Sequence, residues 1–322
     1  MNFKRLAVVT SGGDASGMNA AVRSVVRDAI SYELKVYGVK QGYKGLIENN
    51  FIPLHSESVA NIIQKGGTFL QSARSNEFLT EAGQKIAVEN LKNKEIDGLI
   101  VIGGDGSLRG ANILLKKYNI PTIGIPGSID NDIYGTVRSI GVDTALNRII
   151  EMVDIINDTA SSHDRTFLIE VMGRKCGYLA LMSAISSGAE AVLIPEVPFD
   201  VEKIIKRIKK RYEEGKTRSI IIVAEGVGSA YDFGKVFAMV GGFDTRITVL
   251  GHIQRGGSPT YFDRMLATRM GTEAVKGFLE DKAGTMTALR DSKINLVDLD
   301  TVLSKKKELD HDMIQLAEQL CR

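Results

Sequence analysis

Unbroken apolar runs alternate with stretches in which apolar residues recur every three or four positions, and the alternation continues along most of the chain. Leu6-Ala7-Val8-Val9 has the pattern of a strand buried on both faces. Ala21, Val22, Val25, Val26, Ala29 and Ile30 then recur at helical spacing. Residues 36–39 predict a second strand, and 58–64 and 80–93 predict helices, the latter with Ala87, Val88 and Leu91 on its apolar face. Two further buried strands are expected at 99–102 and 120–125. A long helix is expected over 141–160, with Leu146, Ile149, Ile150, Val153 and Ile156 along one side. A second series follows, with strands at 166–171, 191–194, 220–224 and 247–250. Helices are expected at 201–212, at 231–239 and from about residue 259. This order predicts an α/β fold with mostly parallel sheets flanked by helices.

Length adds a division. At 322 residues the chain exceeds what one hydrophobic core serves well, so two lobes are expected, with a border near residue 140. A net charge of +2 excludes a broad basic face for nucleic acid or an anionic membrane, so any anion must meet locally grouped arginines. No apolar run approaches the ~20 residues of a membrane span. Cys176 and Cys321 lie too far apart in sequence for metal-ligand spacing, and this sparse cysteine usage predicts a reducing, cytoplasmic home. The run Lys203, Lys206, Lys209, Lys210 and Arg211 reads as a solvated helix face.

Chemistry concentrates where the strands end. Gly103-Gly104-Asp105-Gly106-Ser107 and Pro126-Gly127-Ser128-Ile129-Asp130-Asn131-Asp132 close the strands at 99–102 and 120–125. Ligands of parallel sheets bind at such carboxyl ends. The turn Gly12-Gly13-Asp14-Ala15-Ser16-Gly17 leads into a helix N-terminus, which favours an anion, yet Met18 and Asn19 stand where a Walker loop carries Lys and Ser or Thr. These parts suit phosphoryl transfer. Asp105 can serve Mg²⁺, Asp130 can take a proton from a hydroxyl, and Arg74 with the N–H groups around Gly12 can meet the charge in flight. Arg165, Arg174, Arg246 and Arg255 would have work if the acceptor is itself phosphorylated, because guanidinium binds phosphate in two-point fashion. His252, beside Arg255 in a glycine-containing loop, fits the same role, whereas the Cys176 thiol near Arg174 reads as a spectator.

Ser11-Gly12-Gly13-Asp14, Ser72-Ala73-Arg74, Gly103 to Ser107, Pro126 to Asp132, Met172-Gly173-Arg174 and Gly251-His252-Ile253-Gln254-Arg255-Gly256-Gly257-Ser258-Pro259 occur here in the order of one known family. Over essentially its whole length the chain resembles the bacterial ATP-dependent 6-phosphofructokinases. The resemblance implies two Rossmann-like lobes: an ATP-binding lobe of 1–140 plus 254–300, and a sugar-phosphate-binding lobe of 141–253 plus 301–322. It implies transfer of the ATP γ-phosphoryl group to O1 of fructose 6-phosphate, a glycolytic step, with Mg²⁺ on Asp105 and Asp130 as base. Gly12, Arg74, Ser75, Gly104, Gly106 and Ser107 would attend the nucleotide, with Ser128 beside the base. Met172, Gly173, Arg174 and Glu225 would meet the sugar, and Arg174 also the transferring group. His252 and Arg255 would hold the 6-phosphate, while Arg165 and Arg246 resemble arginines lent by a neighbouring subunit of a homotetramer.

Glycine at 106 and 127, where pyrophosphate-dependent relatives carry Asp and Lys, points to ATP as donor. The rival readings are a pyrophosphate-dependent enzyme, a non-catalytic sugar-phosphate sensor on the same fold, and an NAD or lipid kinase. In the position of the family's effector site for ADP or phosphoenolpyruvate, Arg23, Arg27, Glu190 and Lys216 match. Ser56, Asn157 and Glu214 replace residues that are typically basic, so blunted or altered effector control is expected. Ser16 stands where Pro is common and Ser128 where Thr is usual.

Overall fold

Residues 4–161, 165–215 and 218–321 are described by a computed structural model. The chain opens with β1 (Arg5–Ser11), α1 (Met18–Ser31), β2 (Lys35–Val39), α2 (Gly42–Ile47) and β3 (Phe51–Leu54). It continues through α3 (Glu81–Asn93), β4 (Gly98–Gly103), α4 (Asp105–Tyr118) and β5 (Thr122–Pro126). Next come α5 (Val142–Ser161), β6 (Thr166–Val171), α6 (Tyr178–Ser187), β7 (Ala191–Leu193), α7 (Val201–Glu213) and β8 (Ser219–Ala224). The chain closes with α8 (Ala230–Gly241), β9 (Thr245–Val249), α9 (Tyr261–Leu279), β10 (Thr285–Arg290), β11 (Lys293–Asp298), α10 (Leu299–Ser304) and α11 (His311–Leu320).

These elements form two compact units, 1–144 with 255–307, and 145–254 with 308–322. In the first, seven strands run in the order β11-β10-β5-β4-β1-β2-β3. The inner pairs are parallel, and only the edge strands β3 and β11 run antiparallel to their neighbours. β4 explains itself, because Leu99, Ile100, Val101 and Ile102 are all fully buried, as a central strand between two helical layers demands. On one face Tyr43, Leu46, Phe78, Leu91, Leu99, Val101 and Leu114 share a core. On the other, α1 lies close against α9, where Ser24 donates to the Thr268 carbonyl at 2.6 Å. The second unit holds four parallel strands in the order β7-β8-β6-β9. Its core gathers Leu168, Leu193, Ile205, Ile208, Ile221, Val223 and Phe237.

One expected helix does not form. Residues 58–64 make a chain of tight turns, with Ala60 N–H donating to the Glu57 carbonyl, and Asn61 at φ +56° breaks any helical continuation. Several elements lacked a periodic signal. α6 is apolar nearly all round, since Leu179, Ala180, Leu181, Ser183 and Ala184 are all buried. The β10–β11 hairpin turns on Asp291-Ser292, both at positive φ, with Arg290 paired to Lys293 and no glycine to announce the turn.

Candidate active site

β1, β4 and β5 lie side by side, with Ser11 opposite Gly103 and Gly103 opposite Pro126. The loops that follow them therefore leave the same edge of the sheet. Asp105 is the first residue of α4 and its side chain is half-exposed. Arg109, one turn further on, grips it with two bonds, Nε to Oδ2 at 2.8 Å and Nη2 to Oδ1 at 3.1 Å. A guanidinium already seated on this carboxylate shows that the position attracts a cation. Among the described residues no group of three or more His, Cys, Asp or Glu could cage a metal. A single carboxylate such as Asp105, completed by water and substrate oxygens, is a donor set that Mg²⁺ accepts.

Asp130 stands in the loop after β5 and is buried at 3% exposure, and its backbone N–H donates to Ser128 Oγ at 3.3 Å. A Cβ added at Gly104 would lie 3.8 Å from Ser128 Cβ, so the loops that bear Asp105 and Asp130 touch. At Gly106 nothing lies within 4 Å of such a Cβ, which leaves space open over the first turn of α4. Arg74 is exposed on a loop fastened to the end of β1. In that fastening Ser72 donates to the Gly12 carbonyl at 2.8 Å and Thr10 to the Gln71 carbonyl at 2.9 Å. Ser75 Oγ accepts the Phe78 N–H at 3.2 Å.

Arg255 belongs to the first unit, and its Nη1 donates to the Asp14 carbonyl at 2.8 Å. Ser16 answers from the glycine turn: its hydroxyl lies 3.0–3.3 Å from the carbonyls of Arg255, Gly256 and Gly257. The sequence marked Ser16 only as standing where Pro is common; the structure makes it a staple between two site loops. It also passed over Tyr43, whose buried hydroxyl donates to the Ser107 carbonyl at 2.5 Å and whose ring stacks on Phe78 at 4.1 Å. Burial pushes that phenol far above its ordinary pKa. The one trace of it in the sequence is Gly110, where a Cβ would strike the Tyr43 ring at 2.6 Å.

In the second unit, Met172, Gly173 and Arg174 follow β6 and Glu225 follows β8. Glu225 Oε1 accepts the N–H groups of Gly173 at 3.2 Å and Arg174 at 2.6 Å, holding a turn in which Arg174 takes φ +53°. Gln254, quoted in the sequence motif but given no role there, accepts the Met172 N–H at 3.1 Å. His252 is exposed on the turn Gly251–Arg255 after β9. Arg165 and Arg246 belong elsewhere, at the amino ends of β6 and β9, where both pair with Asp244, Arg165 at 3.0 Å. Desolvation works upward on the Asp244 carboxyl, but the two guanidiniums outweigh it and hold the pKa below the usual range. A six-residue strand at about 3.3 Å per residue puts roughly 20 Å between Arg165 and Arg174.

Arg23 and Arg27 sit one turn apart on α1, and burial followed by the Arg27 charge lowers the Arg23 pKa. Glu190 is committed to structure, accepting the Ile220 N–H at 2.6 Å and facing Arg211 at 3.3 Å. Lys216 lies outside the described residues.

The phosphofructokinase family model matches residues 5–278. An ATP-dependent 6-phosphofructokinase of Brevibacillus brevis is 54% identical over 318 residues, covering 99% of both chains. One of Halalkalibacterium halodurans is 52% identical over 318 residues, again covering 99% of each. Among solved structures, phosphofructokinase from Saccharomyces cerevisiae superposes with a TM-score of 0.88 at 39% identity, spanning 94% of this chain and 45% of that one. No helix among the described residues is long and apolar enough to cross a membrane.

Proposed function

This chain belongs to the phosphofructokinase family, and we propose on that footing that it carries the γ-phosphoryl group of ATP to O1 of fructose 6-phosphate. The products are fructose 1,6-bisphosphate and ADP. The observation that carries the reading is one sheet edge holding a buried carboxylate, Asp130, beside a half-exposed one, Asp105, on touching loops. Two acids in such different surroundings suit different tasks. Asp130 takes the proton from the sugar's 1-hydroxyl as that oxygen attacks phosphorus, and Ser128 fixes the loop behind it. Asp105 is the residue that would hold magnesium, which when bound neutralises charge on the transferring phosphates.

Gly12, Gly104, Gly106 and Ser107 offer backbone and hydroxyl donors to the nucleotide's phosphates. Arg74, exposed and on a fastened loop, stabilises charge as the phosphoryl group moves. Arg174, Met172, Gly173 and Glu225 take the sugar, with His252 and Arg255 on its 6-phosphate. Arg165 and Arg246, at the far ends of their strands, serve the site of another copy, which makes the working enzyme an oligomer. We place the enzyme in the cytoplasm, where its substrates are.

Incubation with ATP and fructose 6-phosphate should yield fructose 1,6-bisphosphate and ADP in equal amounts, with pyrophosphate a poor donor. Faster turnover with pyrophosphate would overturn the donor assignment, and no turnover with either donor would leave a sensor. Effector control is expected to be weak, because cations are missing at Ser56 and Asn157 and Glu214 adds a negative charge. A steady-state assay showing strong activation by ADP or strong inhibition by phosphoenolpyruvate contradicts this.

A further inference from the structure

We propose that Asp263 is a positioning residue for the reaction: reaching from α9 to the start of α5, it fixes the segment to which the Asp130 loop is sewn. The proposal rests on Asp130 being the base. Asp263 is fully buried. One carboxylate oxygen accepts the Gly141 N–H at 2.9 Å, and the other accepts the N–H and hydroxyl of Thr144 at 2.8 and 2.6 Å. These N–H groups sit at the helix entrance, where α5 supplies no partners of its own. Thr260 closes a second link, its N–H donating to Thr144 Oγ1 at 3.1 Å and its hydroxyl to Asp143 at 2.7 Å.

From Gly141 the chain runs straight back along the base loop. Ile140 N–H donates to the Pro126 carbonyl at 2.9 Å, and the Ser139 hydroxyl to the Ser128 carbonyl at 2.8 Å. Asn131 receives the Ser139 N–H at 3.2 Å and returns its side-chain amide to the Val137 carbonyl at 3.1 Å. Asp130 therefore lies between two tied neighbours. Gly141 has no slack, since at φ +101° a Cβ would come within 2.6 Å of Ala15 Cβ. A helix cap alone does not call for a buried carboxylate, because serine or asparagine caps as well without the desolvation cost. What the carboxylate adds is acceptors in two directions, gripping Gly141 outside the helix and Thr144 within it.

Asp263→Asn keeps the size but turns an amide NH₂ toward a donor, and Ser139→Ala removes the hydroxyl further along the same path. In each folded variant kcat should fall about 5- to 50-fold, in the range a sub-ångström displacement of a reacting group costs. The dissociation constant of MgATP, measured by titration calorimetry, should move less than about twofold, because the nucleotide groups lie off this path. The double variant should fall no further than the worse single one. An unchanged kcat overturns the proposal, as do an equal loss of ATP affinity or losses that multiply. Should Asp263→Asn fail to fold, the same split between kcat and ATP affinity in Ser139→Ala decides alone. Asp130→Asn run alongside separates the two readings. Full activity there removes the base itself, whereas loss there with normal kcat in the other variants removes only the positioning role.

Discussion

The two units carry chemistry in opposite ways. In the first, the base is embedded: Asp130 is buried, and the loops around it are tied to one another by Ser16, Ser72, Ser139, Arg255 and Asp263. In the second, the cations are on display. Arg174 and Arg246 are exposed, and Arg165 with Arg246 rests on a single exposed carboxylate. Rigid embedding suits a group that must meet a reacting atom within a fraction of an ångström. Exposed guanidiniums suit recognition of a charged ligand, where reach and bidentate geometry matter more than burial. The first unit should therefore govern turnover and the second affinity.

The largest test falls on the embedded side. Asp130→Asn removes the proton acceptor while keeping the shape, and kcat should drop about 10²–10⁴-fold, the range for acid–base groups. Fructose 6-phosphate KM and melting temperature should change little. A kcat within tenfold of the parent would show that the buried carboxylate is not the base.

Burial also gives the first unit a carboxylate that titrates well above its ordinary range. Desolvation lifts the Asp263 pKa from 3.8 to about 6, against the hydrogen bonds from Thr144 and Gly141 and with some help from the neighbouring Asp143 charge. Arg138, 3.0 Å from Asp143, offsets part of that repulsion. Between those two pH values the folded chain holds a proton that the unfolded chain has released. Stability from this group is thus greatest at the acid end and is lost as pH rises through about 6, by roughly 2–3 kcal/mol. Urea denaturation of the parent and Asp263→Asn should show a stability difference that shrinks by that amount from pH 4 to 7. A constant difference would mean that Asp263 ionises normally.

On the displayed side, Arg246→Ala should raise the fructose 6-phosphate KM about 10- to 100-fold, as expected for one charge-assisted contact, with kcat changed far less. Because Arg246 sits at the amino end of β9 while Arg174 follows the carboxyl end of the neighbouring β6, its loss should be made good by another copy. Mixing Arg246→Ala with Asp130→Asn subunits should then restore turnover at low fructose 6-phosphate concentration, which neither shows alone. No recovery in mixed oligomers would place Arg246 outside the site.

What the sequence showed of this contrast follows from how each feature is encoded. Strands β1, β4 and β5 and their glycine-rich ends were legible because a strand buried on both faces must be written in Leu, Ile and Val, and a tight turn in glycine. The arginines were legible as residues, and the family resemblance already set Arg165 and Arg246 apart from Arg174; strand direction supplies the physical reason, since Arg165 precedes β6 and Arg174 follows it. Asp263 gave no signal and Tyr43 left only Gly110, because each acts on a backbone atom more than sixty residues away in sequence. The turns at 58–64 imitated a helix in composition, and the left-handed Asn61 undid it.

Ser16 supplies the smallest and most discriminating effect. Its hydroxyl holds one hydrogen yet faces three carbonyls, nearest Gly257 at 3.0 Å, in a position only 1% exposed. Ser16→Ala deletes that donor and leaves the carbonyls to each other, so stability should fall by about 1 kcal/mol. In a chain of this size that is a drop of about 1–2 °C in melting temperature. Arg255 still donates to the Asp14 carbonyl, which keeps the two loops joined, so kcat should stay within about twofold of the parent. A kcat loss approaching that of Ser139→Ala would redraw the contrast. It would show that the glycine turn, like the base loop, is held for the reaction as well as for the fold, and that embedding on this sheet edge works as one network.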